Sequence, residues 1–381
     1  MSNSLKMRDH PNSTNSRENE SLYRKPAKSL IEDVLGIRKG ENLAIEAWQH
    51  NAAFAKEAKI QAQKLGARVI LVLEDDESYF KLAESSHAEN AGQVGEHEWA
   101  LLENSDAYLF FPGPDDAERQ ARLDKSARSK AQAYNNEWYR RASDHRVRGA
   151  RVRSSYVTKS RARLLGLDYE RWLRNTIDAI QVDYKEIDKV GRRIAKLVSG
   201  ESVSITGPGT NLKLKLSRKP AHLYSGLMQH PPRYSIYSAM MSIPGSELDF
   251  VPTPNSANGH ITFDRPVLFD SKRLEGLKFS FAKGKLNSYS ATKNVSLFSR
   301  PYKLAVGDKD KIGAISIGLN PKLSYGFNQD FHVSGAITIG LGNLGEGDNN
   351  KTEFSFIATL SRATVKAGGK IIIDNGRILA S

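Results

Sequence analysis

Near residue 200 the spacing of apolar residues changes, and this change limits what the chain can fold into. Upstream, short apolar runs alternate with longer amphipathic segments. ENLAIEA (41–47), RVILVLED (68–75) and DAYLFFPGP (106–114) read as strands, and the second is dense enough in Val, Ile and Leu for burial in a parallel sheet. NAAFAKEAKIQAQKLGA reads as a helix with Phe54, Ala58, Ile60 and Leu65 near helical spacing and Gly66 at its C-terminal cap. EHEWALLEN is a second helix. From 167 to 200 Ile177, Ile180, Ile187, Val190, Ile194 and Leu197 recur at three- and four-residue spacings, one or two amphipathic helices that end at Gly200. Downstream the period is two. Leu212, Leu214 and Leu216 alternate with lysines after a Gly-Pro-Gly turn, and short apolar runs separated by Gly, Asn and Pro continue to the C-terminus. The pattern predicts an N-terminal α/β domain with parallel strands, a helical connector, and a β-rich C-terminal domain built as a barrel or folded sheet.

A length of 381 residues suits two such domains, with boundaries expected at 23–198 and 199–381 behind a polar, disordered leader over 1–22. No apolar run approaches the ~18 residues of a membrane span, and the leader lacks the apolar core of a secretory signal. Cysteine is absent, which removes disulfides, thiolate ligands and cysteine nucleophiles. A cytoplasmic location is the default expectation, with no membrane partner. The net charge of +13 is concentrated between Pro114 and Arg163, where fourteen Lys or Arg face six Asp or Glu. Within it RVRGARVR would let Arg146, Arg148, Arg151 and Arg153 line one face of an extended strand and hold an anion, Gly149 permitting. A solvated basic face is the plainer reading of the same run, and no nucleic-acid-binding motif accompanies it.

Nucleotide and hydrolase signatures fail on context. GPGTNLK lacks the G-K-[ST] ending of a phosphate loop and leads into a strand. GLGNLG, residues 340–345, has the spacing G-x-G-x-x-G but no amphipathic helix follows to bind a pyrophosphate, so a turn is expected. No G-x-S-x-G marks a serine nucleophile. Of the histidines, His50 falls between the first strand and its helix, His260 enters a strand after Asn258-Gly259, and His222 and His230 lack carboxylates at ligand spacing.

Several stretches, taken in order from about residue 30 onward, resemble the aminopeptidase T/aminopeptidase S family of M29-type metallo-aminopeptidases. They include RKGENLAIEA, KLGARVILVLED, GTNLKLKLSRKP, IPGSELDFVPTPNSANGHITFD, LEGLKFSFAKGKL and IGAISIGLNP. The resemblance implies a β-rich C-terminal domain with a two-metal site (cobalt, zinc or magnesium), peptide hydrolysis and a homodimer. SELDFVP is similar to the family's G-E-[VI]-F-x-A-P, which puts Glu247 at its first ligand position. At the other four positions the resemblance places Ala314, Thr338, Ser355 and Ile357, where the family has Glu, His, His and Asp. Ala and Ile bind no metal, and neutral hydroxyls are poor ligands for Zn²⁺ or Co²⁺.

Nearby donors offer a replacement. Asp330 and His332, two apart, with Glu353 and Glu247, would form a single-metal set of His and carboxylates suited to zinc, iron or manganese. The plainer expectation is that Asp330 and His332 occupy a polar turn. The sequence therefore predicts an aminopeptidase-like hydrolase for a peptide or small-molecule substrate, with Glu247 catalytic and an altered or reduced metal site, or none. Two alternatives stand beside it. One is an inactive dimeric relative that binds an acidic ligand or nucleic acid through the basic segment. The other is a relative of the family's non-haem iron, ring-opening oxygenases.

Overall fold

A computed structural model describes residues 22–85, 87, 90, 94–123, 137–228, 240–269, 272–344 and 350–379. Residues 1–21 of the expected leader lie outside the described residues, and Leu22 is already helical.

The first half begins with β1 (Asn42–Trp48), β2 (Arg68–Glu74), β3 (Ala107–Phe111) and β4 (Arg148–Val152). Their order is β2-β1-β3-β4 with every pairing parallel. The helix at Ala52–Lys64 buries Phe54, Ala55, Ala58 and Ala62, one face at helical spacing, while Ile60 is exposed. Strand β2 is the sheet's edge, so Ile70 and Leu73 face outward although the run reads as a buried strand. Its neighbours have partners on both sides and are buried almost throughout.

The connector is capped as its sequence directs. Asp168 accepts the Arg171 N–H at the start of Tyr169–Asp178, and Asp183 accepts those of Lys185 and Glu186 at the start of Tyr184–Val198. The second helix buries Tyr184, Ile187, Gly191, Ile194 and Val198, at three- and four-residue steps. Gly191 is needed there, because a Cβ would lie 2.4 Å from a methyl of Leu223.

After the connector the chain runs through β5 (Ser202–Gly207), β6 (Thr210–Lys215), β7 (His222–Tyr224), β8 (Met241–Ile243), β9 (Glu247–Phe250) and β10 (Asn258–Thr262). There follow β11 (Val267–Phe269), β12 (Lys272–Leu274), β13 (Lys278–Ala282), β14 (Lys285–Ser290), β15 (Ile312–Gly318), β16 (Ile337–Gly342) and β17 (Ser355–Leu360). The last three are β18 (Thr364–Ala367), β19 (Lys370–Asp374) and β20 (Arg377–Ile378). Strand β8 joins the parallel sheet beside β4, so the chain beyond residue 199 completes that sheet. Two antiparallel sheets carry most of the rest, β14-β13-β10-β6-β5-β18-β19-β20 and β17-β16-β15-β9-β7. Both orders are linear, which makes this half a folded pair of open sheets rather than a closed barrel. The turn at 207–209 joins β5 to β6, with Gly209 at φ +64°. One apolar core runs from Leu30 and Ile45 through Ile194 to Ile339 and Ile373, so the halves share a single interior.

One buried acid in the parallel sheet has a measurable consequence. Glu46 on β1 accepts a hydrogen bond from the Tyr108 hydroxyl on β3, and burial pushes its carboxyl up to about 7. Because the folded value lies above the unfolded one, its contribution is fully present below the ordinary carboxylate range and is lost as pH rises to about 7. Glu46→Gln is expected to cut the drop in unfolding free energy between pH 5 and pH 8 by roughly 2 to 3 kcal/mol. Chemical denaturation at the two pH values checks this, and an unchanged drop would show that Glu46 ionises freely.

Candidate functional site

Strand register builds the site. Across the five-stranded antiparallel sheet His222, Asp249, Ser316, Thr338 and Thr359 lie directly opposite one another, from β7 through β9, β15 and β16 to β17. A second row pairs Ala314 with Gly340 and Ile357, and a third pairs Tyr224 with Glu247 and Gly318. Residues two apart on a strand share a face, so the three rows look out on the same side. Over that face opens a cavity of about 490 Å³, lined by Glu247, Asp249, Ala314, Ser316, Thr338, Ser355 and Ile357 among others. Glu247 and Asp249 also border an adjoining cavity of about 210 Å³, where His332 enters the wall.

Burial sets the charges. Glu247 is pushed well above the usual carboxylate range, first by desolvation and then by Asp249, with Arg153 pulling the other way. Desolvation raises Asp249 to about 6, against a hydrogen bond from Ser316. Two carboxyls on one strand face in low dielectric do not both ionise readily, and burial pushes Glu247 toward its protonated form. His332 is held well below its ordinary value by burial and by Arg153, so its ring is neutral. Its Nδ1 lies 3.5 Å from Glu247 Oε2, a contact between uncharged groups rather than an ion pair. Arg153 starts the short 3-10 turn after β4, at the carboxyl ends of the parallel strands where α/β sheets hold ligands. Its guanidinium sits over the Phe331 ring at 5.6 Å and brings one positive charge to the site. Asp249 borders the cavity, and its Oδ1 is buried with no hydrogen-bond partner among the described residues.

Of the four residues expected to regroup around a metal, the structure brings two together, Glu247 and His332. Asp330 is engaged elsewhere. Its carboxylate meets Arg265 Nε at 3.1 Å and accepts the Gly326 N–H at 2.7 Å, in the wall of a different cavity. Glu353 is exposed just before β17. The expected row of four arginines also disperses. Arg146 precedes β4 in a left-handed turn at φ 56°. Arg148 is buried and tied to Glu41 at 2.7 Å and to the Leu35 carbonyl. Arg151 points to Tyr139 and Phe110, and Arg153 to the site. A strand only five residues long, followed at once by a 3-10 turn, gives them no common face. Lys125, Arg128 and Lys130 of the basic segment lie outside the described residues.

Sequence reasoning missed Asp249, Arg153 as the companion charge of Glu247, and His222. Asp249 was signalled by E-L-D-F, in which residues 247 and 249 alternate with buried Leu248 and Phe250. His260 is exposed in the other antiparallel sheet, and His50 meets the Ser155 carbonyl at 3.1 Å.

These residues do not fit a pair of divalent ions. All five positions implied by the family resemblance line one cavity, yet four carry Ala, Thr, Ser and Ile. Thr338 Oγ1 is moreover taken by Thr359 Oγ1 at 2.9 Å. Among the described residues no group of three or more His, Asp or Glu is placed to hold a metal. Stable divalent sites need several converging donors.

The fold has known counterparts. The structure is similar to wild-type AmpT from Thermus thermophilus, with a TM-score of 0.65 at 18% identity over 95% of this chain and 99% of that one. It is also similar to 2,5-dihydroxypyridine dioxygenase from Pseudomonas putida KT2440, with a TM-score of 0.57 at 12% identity over 96% and 98%. No curated protein matches the sequence. At such identities the two structures establish the architecture alone. The profile of the thermophilic metalloprotease (M29) family matches residues 19–307, three quarters of the chain, and on that ground the chain belongs to the M29 family of thermophilic metalloproteases.

Proposed function

We propose that this chain is an aminopeptidase-like hydrolase that takes the amino end of a peptide or aminoacyl compound into the 490 Å³ cavity and works there without a metal pair. The observation behind this is the convergence of all five family positions on that cavity with a single acid, Glu247, among them. The ionised Asp249, with its unused Oδ1, suits a substrate ammonium. Protonated Glu247 is the general acid: water adds to the peptide carbonyl carbon, and as the C–N bond of the resulting tetrahedral intermediate breaks Glu247 gives its proton to the leaving amine. The proton released by the added water returns to the Glu247 carboxylate, so the acid is restored. Neutral His332 beside it adds no charge to the cavity. General acid–base catalysis of this kind supplies roughly 10²- to 10⁴-fold, so turnover is slow. A non-catalytic binder of the same ligands is the second reading, favoured by Ala314 and Ile357, and saturable binding without turnover would select it. A single-iron oxygenase is not favoured by this donor set.

Elemental analysis of the purified protein, combined with a panel of aminoacyl substrates, tests the reading. At most one transition metal per chain is expected, with any hydrolysis resistant to chelators and lost in Glu247→Gln. Two tightly held metals per chain would overturn it.

The pH dependence is a separate test. Because the ionised Asp249 holds the ammonium, affinity for an aminoacyl ligand is expected to fall as pH drops through about 6. Asp249→Asn should bind weakly at every pH and lose that transition. Calorimetric titration from pH 5 to 8 that finds the wild type flat would exclude Asp249 as the amine's partner.

A further inference from the structure

A second cavity, of about 300 Å³, shares Phe331 and Ile357 with the first. We propose that it is a carboxylate-binding subsite built on Arg265 and Arg273, and that the preferred ligand is a free peptide of about three or four residues spanning both cavities. This deepens the reading above and rests on it for the position of the amine.

Charge is the first reason. The cavity wall holds Arg265 and Arg273 against one acid, Asp330, whereas the first cavity holds Glu247 and Asp249. A wall carrying carboxyls and, among the described residues, no arginine thus adjoins one carrying two guanidiniums, which matches the two ends of a zwitterion. The arginines are also oriented in advance. Asp330 fixes Arg265 through Nε, and the guanidinium lies 5.0 Å from the Tyr325 ring centroid. Arg273 Nη2 donates to the carbonyls of Leu165 at 3.3 Å and Gly166 at 3.0 Å. A guanidinium has five N–H donors in a rigid fork, so each side chain keeps most of them. The Arg265 side chain is 28% exposed, Arg273 is exposed, and both residues border the cavity. Two donors held from behind and open in front suit a carboxylate, whose two oxygens take paired N–H bonds.

Register supplies the length. Asp249 lies on β9 and Thr359, in the wall of the second cavity, lies three strands away in the same cross-strand row. Three inter-strand steps span about 14 Å, and an extended chain covers about 3.3 to 3.6 Å per residue, so about four residues bridge the row. Between the charged ends the path crosses Ile357, an apolar side chain 38% exposed on the shared wall, which would cover the ligand's apolar middle.

Tetra-alanine, its C-terminal amide and its N-acetyl form, titrated calorimetrically into the full-length protein at low salt, test this directly. The free acid is expected to bind at least about tenfold more tightly than the amide. That ratio should fall to within about twofold in Arg273→Gln and in Arg265→Gln. Arg273→Gln is the safer variant, since its side chain touches only backbone carbonyls, and an unchanged melting temperature confirms its fold. Equal binding of acid and amide by the wild type would overturn the subsite. If instead the acetylated peptide binds as well as the free one while the acid–amide ratio persists, the subsite stands and the amine-end reading fails. No binding of any of the three would overturn both.

Discussion

The pairing of β9 with β15, and of β15 with β16 and β17, is the constraint on which the site depends. In an antiparallel sheet a slip of one residue sends every side chain to the opposite face. Here the register puts Leu248, Ile315, Ile317, Phe356 and Ala358 into the core and turns Glu247, Asp249, Ala314, Ser316 and Ile357 toward the cavity. The same alternation that stabilises the sheet therefore places the polar row. No loop has to be ordered separately to bring those side chains together. The remaining contributor, Arg153, arrives from the end of a parallel strand and ties the site to the first half of the chain.

Within that frame the cavity has the electrostatics of a protein site rather than of an ion pair site. Two divalent ions would bring four positive charges and hold their carboxylates ionised. In their place stands one guanidinium, already desolvated against Phe331. One charge does not offset the burial of two carboxylates, so Glu247 is pushed toward its protonated form and Asp249 is raised to about 6. The hydroxyls of Thr338 and Thr359 satisfy each other, and Ser316 satisfies Asp249 in part. What remains is an acceptor in the first cavity's wall, Asp249, and guanidinium donors in the second, Arg265 and Arg273.

Much of this was legible in the sequence because period and turn chemistry carry local information. The change from helical spacing to alternation near residue 200 and the turn at Gly209 both read directly. What failed were statements about neighbours. RVILVLED looks like a buried strand, yet nothing within it shows that no strand pairs on its far side, which leaves Ile70 and Leu73 exposed. Ile60 fits the helical period as well as Ala62 does, and the direction of packing decided between them. Asp330 and His332 were grouped by adjacency in the chain, but a 3-10 turn at Asp330–His332 sends one to Arg265 and the other to Glu247. The four arginines spread because Arg148 and Arg151, three apart on β4, face opposite sides of the sheet, while Arg146 and Arg153 lie beyond its ends. Arg153, Asp249 and His332 are far apart in sequence, and only tertiary pairing makes them a unit.

The account rests on one statement, that the cavity facing Glu247 is not built for a pair of metals. Crystals grown in excess zinc and measured at the zinc absorption edge address it most directly, since anomalous scattering locates the ions themselves. The account predicts no paired peaks in the cavity bounded by Glu247, Ala314, Thr338, Ser355 and Ile357. Two peaks about 3.5 to 4 Å apart within that cavity would contradict it.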